Sequence, residues 1–245
     1  MTDTPAPAQT PDAPKRLVRL GDRVFSSTTV TAGVIILAIL AAVALFLIIQ
    51  AIPAIIADGT ELPDGASNFW VYVWPLVFGT IWTAILALLF ATPLSVGIAL
   101  FISHYAPRRI AQGLGYVIDL LAAVPSVVYG LWGIATFSGF LAPLYAWLGE
   151  HLGWIPLFAP PISASGRTIL TAALVLAVMC IPIMTAICRE VFLQTPRLHE
   201  EAALALGATR WEMVRMAVLP FARGGMVSAM MLGLGRALGE TLAVA

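Results

Sequence analysis

Charge is what this sequence has least of. Only 11% of its 245 residues are Asp, Glu, Lys or Arg, while 60% are hydrophobic, with a mean hydropathy of +0.94. Soluble domains carry roughly 25% charged residues, so a soluble globular protein is excluded and lipid is the solvent to reason about. The net charge is zero, with 13 basic and 13 acidic residues. Nothing in that balance points to nucleic acid. Cysteine is also scarce. Cys180 and Cys188 share one apolar run, and on a helix they lie about 12 Å apart along the axis, too far for a disulfide. They read as packing residues. Three histidines, His104, His151 and His199, sit at no spacing that makes a zinc site. A glycine-rich phosphate loop is missing too, so direct nucleotide binding is not expected. No catalytic or metal constellation and no cofactor site is expected.

What is present is length of apolar sequence. Five runs are long enough to span a bilayer, at about 28–50, 72–103, 114–137, 168–187 and from 224 onward, the last still running at Ala245. The fold class is therefore all-α, a polytopic helical membrane protein. Pro93, Pro125 and Pro182 fall inside these runs as expected kinks. Residues 1–25 form a polar, proline-rich tail, expected to be disordered, and 26–245 the membrane domain. The tail lacks the basic start of a signal peptide, and the apolar run behind it is too long for one.

Basic residues give an orientation. Lys15, Arg16, Arg19 and Arg23 precede the first span. Arg108 and Arg109 separate the second from the third, and Arg189, Arg197, Arg210, Arg215 and Arg223 lie between the fourth and fifth. The other loops, about 51–70 and 138–166, hold Asp58, Glu61, Asp64 and Glu150 and no Lys or Arg. A positive-inside bias places the amino terminus in the cytoplasm and Ala245 outside. In the second outer loop, Tyr145, Trp147 and Trp154 suit an interfacial helix followed by a proline-rich return.

The segment 195–220, "TPRLHEEAALALGATRWEMVRMAVLP", is expected to form a cytoplasmic helical hairpin. Thr195 caps the first helix, Gly207 stops it in a left-handed turn, Thr209 and Glu212 form a capping box, and Pro220 ends the second helix.

The final stretch, "MLGLGRALGETLAVA", places Arg236 and Glu240 inside a span. A central arginine costs about 2.5–3.5 kcal/mol on insertion scales. Arg236 is about 20 Å of helix beyond Arg223, too deep to reach the inner surface easily. Glu240 follows at i+4, on the same face. Gly225, Ala229, Gly233 and Gly239 share that face. Val227, Met230, Met231, Leu234 and Leu238 take the other. Two readings stand: a salt bridge that staples the bundle, or a fixed positive charge on an anion pathway with Glu240 orienting it. An arginine fork suits tetrahedral oxyanions. Ser126, Tyr129 and Thr241 offer hydroxyls that either line such a pathway or satisfy broken helix. Arg167, at the outer mouth of the fourth span, either draws anions in or anchors to headgroups. Asp119 is expected to pair with a neighbouring arginine.

The hairpin resembles the EAA loop of ABC-importer permeases. Its matching residues are Glu201, Ala202, Ala203, Gly207, Leu219 and Pro220, with Ala217 in place of the usual bulky aliphatic. "LLAAVPSVVYGLWG" (120–133), "LTAALVLAVMCIPIMT" (170–185) and "GLGRALGETLAV" (233–244) resemble the permease of phosphate-uptake ABC importers, the PstC type. That resemblance implies six spans, of which five are visible. It implies a coupling hairpin that docks on a separate ATPase, and passage of phosphate past Arg236 and Glu240. It also implies a second related permease, two ATPase copies and an external phosphate-binding protein as partners, in a bacterial inner membrane. Permeases for sulfate or molybdate, a non-conducting signalling or scaffold subunit, and a gated channel are the rival expectations.

Overall fold

The computed structural model describes residues 20–56, 67–155, 163 and 165–240. All regular structure among them is helical. The chain divides into two compact units, residues 1–72 and 73–245.

The first unit holds α1 (Leu20–Ile56), which is apolar on all sides. A helix without a polar face suits lipid rather than water. Of the expected tail, residues 20–25 are already helical, and 1–19 lie outside the described residues.

The second unit is built around α6 (Ile169–Leu193), flanked by α2 (Phe69–Leu100) and α9 (Leu219–Leu238). One core cluster joins Ala84, Ala87 and Ala91 of α2 to Leu176, Ala177, Cys180 and Met184 of α6 and Ala237 of α9. A second joins Ala99 and Leu100 to Cys188 and Phe192, then to Val214, Val218, Ala222 and Ala229. Small residues dominate what α2 and α9 put into these clusters because lipid-embedded helices gain by close packing rather than by leaving water. Gly233 meets Met184 and Leu88, and Gly225 meets Val191, so the small face of α9 is its seam with α6 and α2. Met230 and Leu234, on the other face, also pack against the first cluster, while Val227, Met231 and Leu238 are exposed. Cys180 and Cys188 are buried and unbridged, and the Cys180 thiol faces the Gly233 carbonyl at 3.6 Å. They are packing cysteines.

Among the described residues, five helical stretches are long and apolar enough to cross a membrane, as expected, but the third differs in place. Residues 114–137 are not one helix. α3 (Arg108–Ala122) ends, and α4 (Ser126–Trp132) begins behind Pro125. α4 then runs through a π-turn (Gly133–Phe137) into α5 (Ser138–Leu152), so the apolar crossing is Ser126–Leu152. The expected interfacial helix is the continuation of this one, and the proline-rich return lies mostly outside the described residues. Pro93 and Pro182, in contrast, lie within unbroken helices. At Pro125 the chain takes extended backbone, with ψ near 139°, which a residue before helix but not within it can adopt.

The last helix ends sooner than expected. Gly239 caps α9, its N–H on the Gly235 carbonyl, and Glu240 has left the helix.

Candidate substrate pathway and coupling hairpin

A cavity of about 500 Å³ lies between α2, the α4–α5 segment, the start of α6 and the end of α9. Its charged lining residues are Arg167 and Glu240, two of the residues singled out in the sequence. Around them stand the hydroxyls of Thr80, Thr83, Ser138, Thr168 and Thr171. Sequence reasoning missed these. Threonine and serine inside an apolar run normally bond their own helix backbone, and that is what several do. Thr80 donates to Leu76 O at 2.9 Å, Thr83 to Gly79 O at 2.6 Å and Ser138 to Ile134 O at 2.9 Å. Their protons are spent on backbone, so they offer the cavity lone pairs rather than donors. Thr171 is held by a closer network, donating to Gly166 O at 2.6 Å and meeting Tyr145 Oη at 2.8 Å. Gly166 has φ +70°, and a Cβ there would strike the Ser138 carbonyl. This fixes the loop carrying Arg167 against α5. The charge that can meet an anion here is therefore the Arg167 guanidinium.

Arg236 lies in the last turn of α9, half-buried, with its Nε buried and unbonded among the described residues. Ala237 and Glu240, rather than Arg236, line the cavity. Because α9 stops at Leu238, Arg236 and Glu240 do not continue one helical face. The structure thus gathers Arg167 and Glu240 in one cavity and leaves Arg236 outside its lining. Ser126 opens α4, half-buried and outside the cavity lining. Thr241 lies outside the described residues. Tyr129 donates to Leu121 O at 3.0 Å, the carbonyl four residues before Pro125, which lacks its i+4 N–H and otherwise accepts from the Val124 N–H at 3.2 Å. Its hydroxyl serves the broken helix.

The hairpin is α7 (Arg197–Ala205) and α8 (Arg210–Met213). Gly207 has φ +85° at the reversal, as its position implied. The capping box is complete: Glu212 N–H donates to Thr209 Oγ1 at 3.3 Å, and Thr209 N–H to Glu212 Oε2 at 2.7 Å. Two expectations change. Pro196, not Thr195, occupies the cap of α7, and Thr195 is buried. Pro220 does not end the second helix. A π-turn (Val214–Val218) widens the helix ahead of it, and Pro220 sits in the first turn of α9, where a missing N–H costs little. Glu201 and Ala202 are exposed, whereas Ala203 and Leu219 pack inward on the second core cluster. Leu198, Leu206 and Trp211 stand exposed on the hairpin. His104, in a π-turn (Phe101–Tyr105) after α2, is 3.5 Å from Glu200, tying the hairpin to the bundle.

Residues 91–245 match the family of binding-protein-dependent transport system inner membrane components. The chain belongs to that family. Among curated relatives of this inner membrane component, the phosphate transport system permease protein PstC 2 of Mycobacterium tuberculosis is 47% identical over 94% of this chain and 74% of its own length. PstC of Mycobacterium leprae is 45% identical over 82% of this chain and 66% of its own. PstC of Mesorhizobium japonicum is 36% identical over 98% and 76%. As a transport-system component the chain is a membrane transport subunit rather than an enzyme, and its hairpin, charged cluster and cavity all fall within or beside the matched region.

Proposed function

We propose that this chain is the permease subunit of an ATP-driven importer that carries inorganic phosphate by alternating access. The observation that carries the reading is the 47% identity, over nearly the whole chain, to a protein named as a phosphate transport system permease. The geometry supports it. Arg167 supplies a permanent cation at a cavity of about 500 Å³, a volume within the range of small-ligand sites. Arg236 supplies a second, deeper in the bundle. A guanidinium offsets part of the cost of stripping water from an oxyanion because it can donate two parallel hydrogen bonds. Glu240 is engaged with a partner of its own and orients the cationic cluster rather than meeting the anion. Passage therefore runs past Arg167 and then Arg236, with Ser126 beside it.

ATP hydrolysis belongs to a separate subunit. The hairpin, with Glu201, Ala202 and Gly207 outward and Ala203, Leu219 and Pro220 joining it to α9, transmits the stroke as a rigid body. Its exposed Leu198, Leu206 and Trp211 mark a protein-binding surface. The remaining assembly is a second related permease, two ATPase copies and an external phosphate-binding protein. The hairpin and the amino terminus face the cytoplasm of a bacterial cell, and the cavity at Arg167 faces outward.

The test is flux. The complete assembly in liposomes should take up labelled phosphate only with ATP, and excess sulfate or molybdate should compete weakly. Strong competition by either would reassign the ion. Absence of any flux would favour a scaffold, and flux without the ATPase a channel.

A further inference from the structure

A second cavity, of about 480 Å³, lies at the hairpin end of the bundle and shares no lining residue with the first. Three arginines from three elements line it. Arg108 opens α3, Arg189 lies near the end of α6, and Arg197 opens α7. Asp119 is the one acidic residue among the described lining residues, 3.6 Å from Arg189 and half-exposed. It offsets one arginine and leaves two. Ser103, Gln112 and Tyr116 add neutral hydrogen-bonding groups.

Two further observations point to an anion. Gly115 faces Arg189 so closely that a Cβ there would run into Nη1. The backbone is thus cut back to seat a guanidinium in this cavity rather than at the surface. α3 and α7 both start at the cavity, behind Pro107 and Pro196, and neither has a side-chain cap. The first amides of a helix lack intrahelical partners, and the helix dipole favours negative charge there.

We propose that this cavity holds a phosphate group, supplied by free inorganic phosphate or by a phospholipid headgroup. Arginines on three separate elements of one cavity, one of them offset by Asp119, leave an excess of positive charge, and a guanidinium fork donates parallel hydrogen bonds to phosphate oxygens. Arg197 belongs to the hairpin, so an occupied site ties α7 to α3 and α6. It requires no particular transported ion.

The test uses the full chain in phosphatidylcholine nanodiscs, with two probes: labelled inorganic phosphate by equilibrium dialysis, and phosphatidylglycerol retention by native mass spectrometry. R108Q/R197Q should weaken binding of one probe roughly tenfold or more, since hydrogen bonds to charged groups are lost. R108K/R197K should restore part of it. Gly115→Ala keeps every charge and displaces only the end of Arg189. It should weaken the same probe severalfold with the melting temperature unchanged, which separates loss of the site from loss of the fold. Loss confined to phosphate assigns the free ion; loss confined to phosphatidylglycerol assigns the headgroup. Equal binding of both probes to wild type and R108Q/R197Q, or binding of neither to wild type, overturns the proposal.

Discussion

The Tyr129 hydroxyl donates to the Leu121 carbonyl at 3.0 Å, across the Pro125 break. Pro125 has no N–H, so the carbonyl four residues earlier lacks its helical donor. The phenol supplies that donor from the following helix, and the Val124 N–H supports it at 3.2 Å. An aromatic side chain thus adds a second donor to a carbonyl that the break leaves with only the Val124 N–H.

Tyr129→Phe should loosen the α3–α4 junction without ending transport. A neutral hydrogen bond contributes about 0.5–1.5 kcal/mol, so amide exchange near residues 124–129 should speed by roughly two- to tenfold. Hydrogen exchange with mass spectrometry reads this directly. Unchanged exchange with a large fall in uptake would instead put the hydroxyl on the pathway.

Arg236→Gln should abolish uptake while the assembled complex remains intact by size-exclusion chromatography. Arg236→Lys should keep part of the activity, because charge survives and the fork does not. Uptake near wild-type rate in Arg236→Gln would make the residue a structural staple. Arg167→Gln, at the cavity, should raise KM more than it lowers kcat.

Gly207→Val should uncouple ATP hydrolysis from transport. A Cβ at Gly207 meets nothing within 4 Å, so the cost is conformational alone, from φ +85°. Valine is a genuine outlier there, whereas asparagine tolerates the left-handed region. Gly207→Asn should therefore remain coupled. The ratio of ATP hydrolysed to substrate moved is the measurement.

Gly225→Ala should destabilise the α6–α9 seam more than Gly233→Ala. A Cβ at Gly225 meets the stiff, branched Val191, while one at Gly233 meets the flexible Met184, with Sδ 2.7 Å away. Overpacking costs about 1–3 kcal/mol where neighbours cannot move. Thermal unfolding in detergent should show the larger drop for Gly225→Ala, and the reverse order would mean α9 is not seated against α6 in this register.

Part of this protein was legible without a fold. Five apolar stretches follow from hydropathy and length, since a bilayer fixes how much helix must be greasy. The Gly207 reversal and the Thr209–Glu212 box follow from local backbone chemistry over a few residues. The pairing of Asp119 was also foreseen, and Arg189 is the partner. Pro220 was misread, because proline ends a regular helix but is accommodated when a π-turn precedes it.

Sequence alone determined a helical membrane protein with a tight helical hairpin, because hydrophobicity, glycine at positive φ and capping act within one or two turns. Tertiary structure alone decided the rest. Both 114–137 and 126–152 are apolar enough to cross, and only the Pro125 break, closed by Tyr129, selects the second. The hydroxyls of Thr80, Thr83 and Thr171 become a cavity wall only when α2, α6 and the Gly166 loop meet. Such contacts join residues far apart in the chain, and no periodicity along a single segment records them.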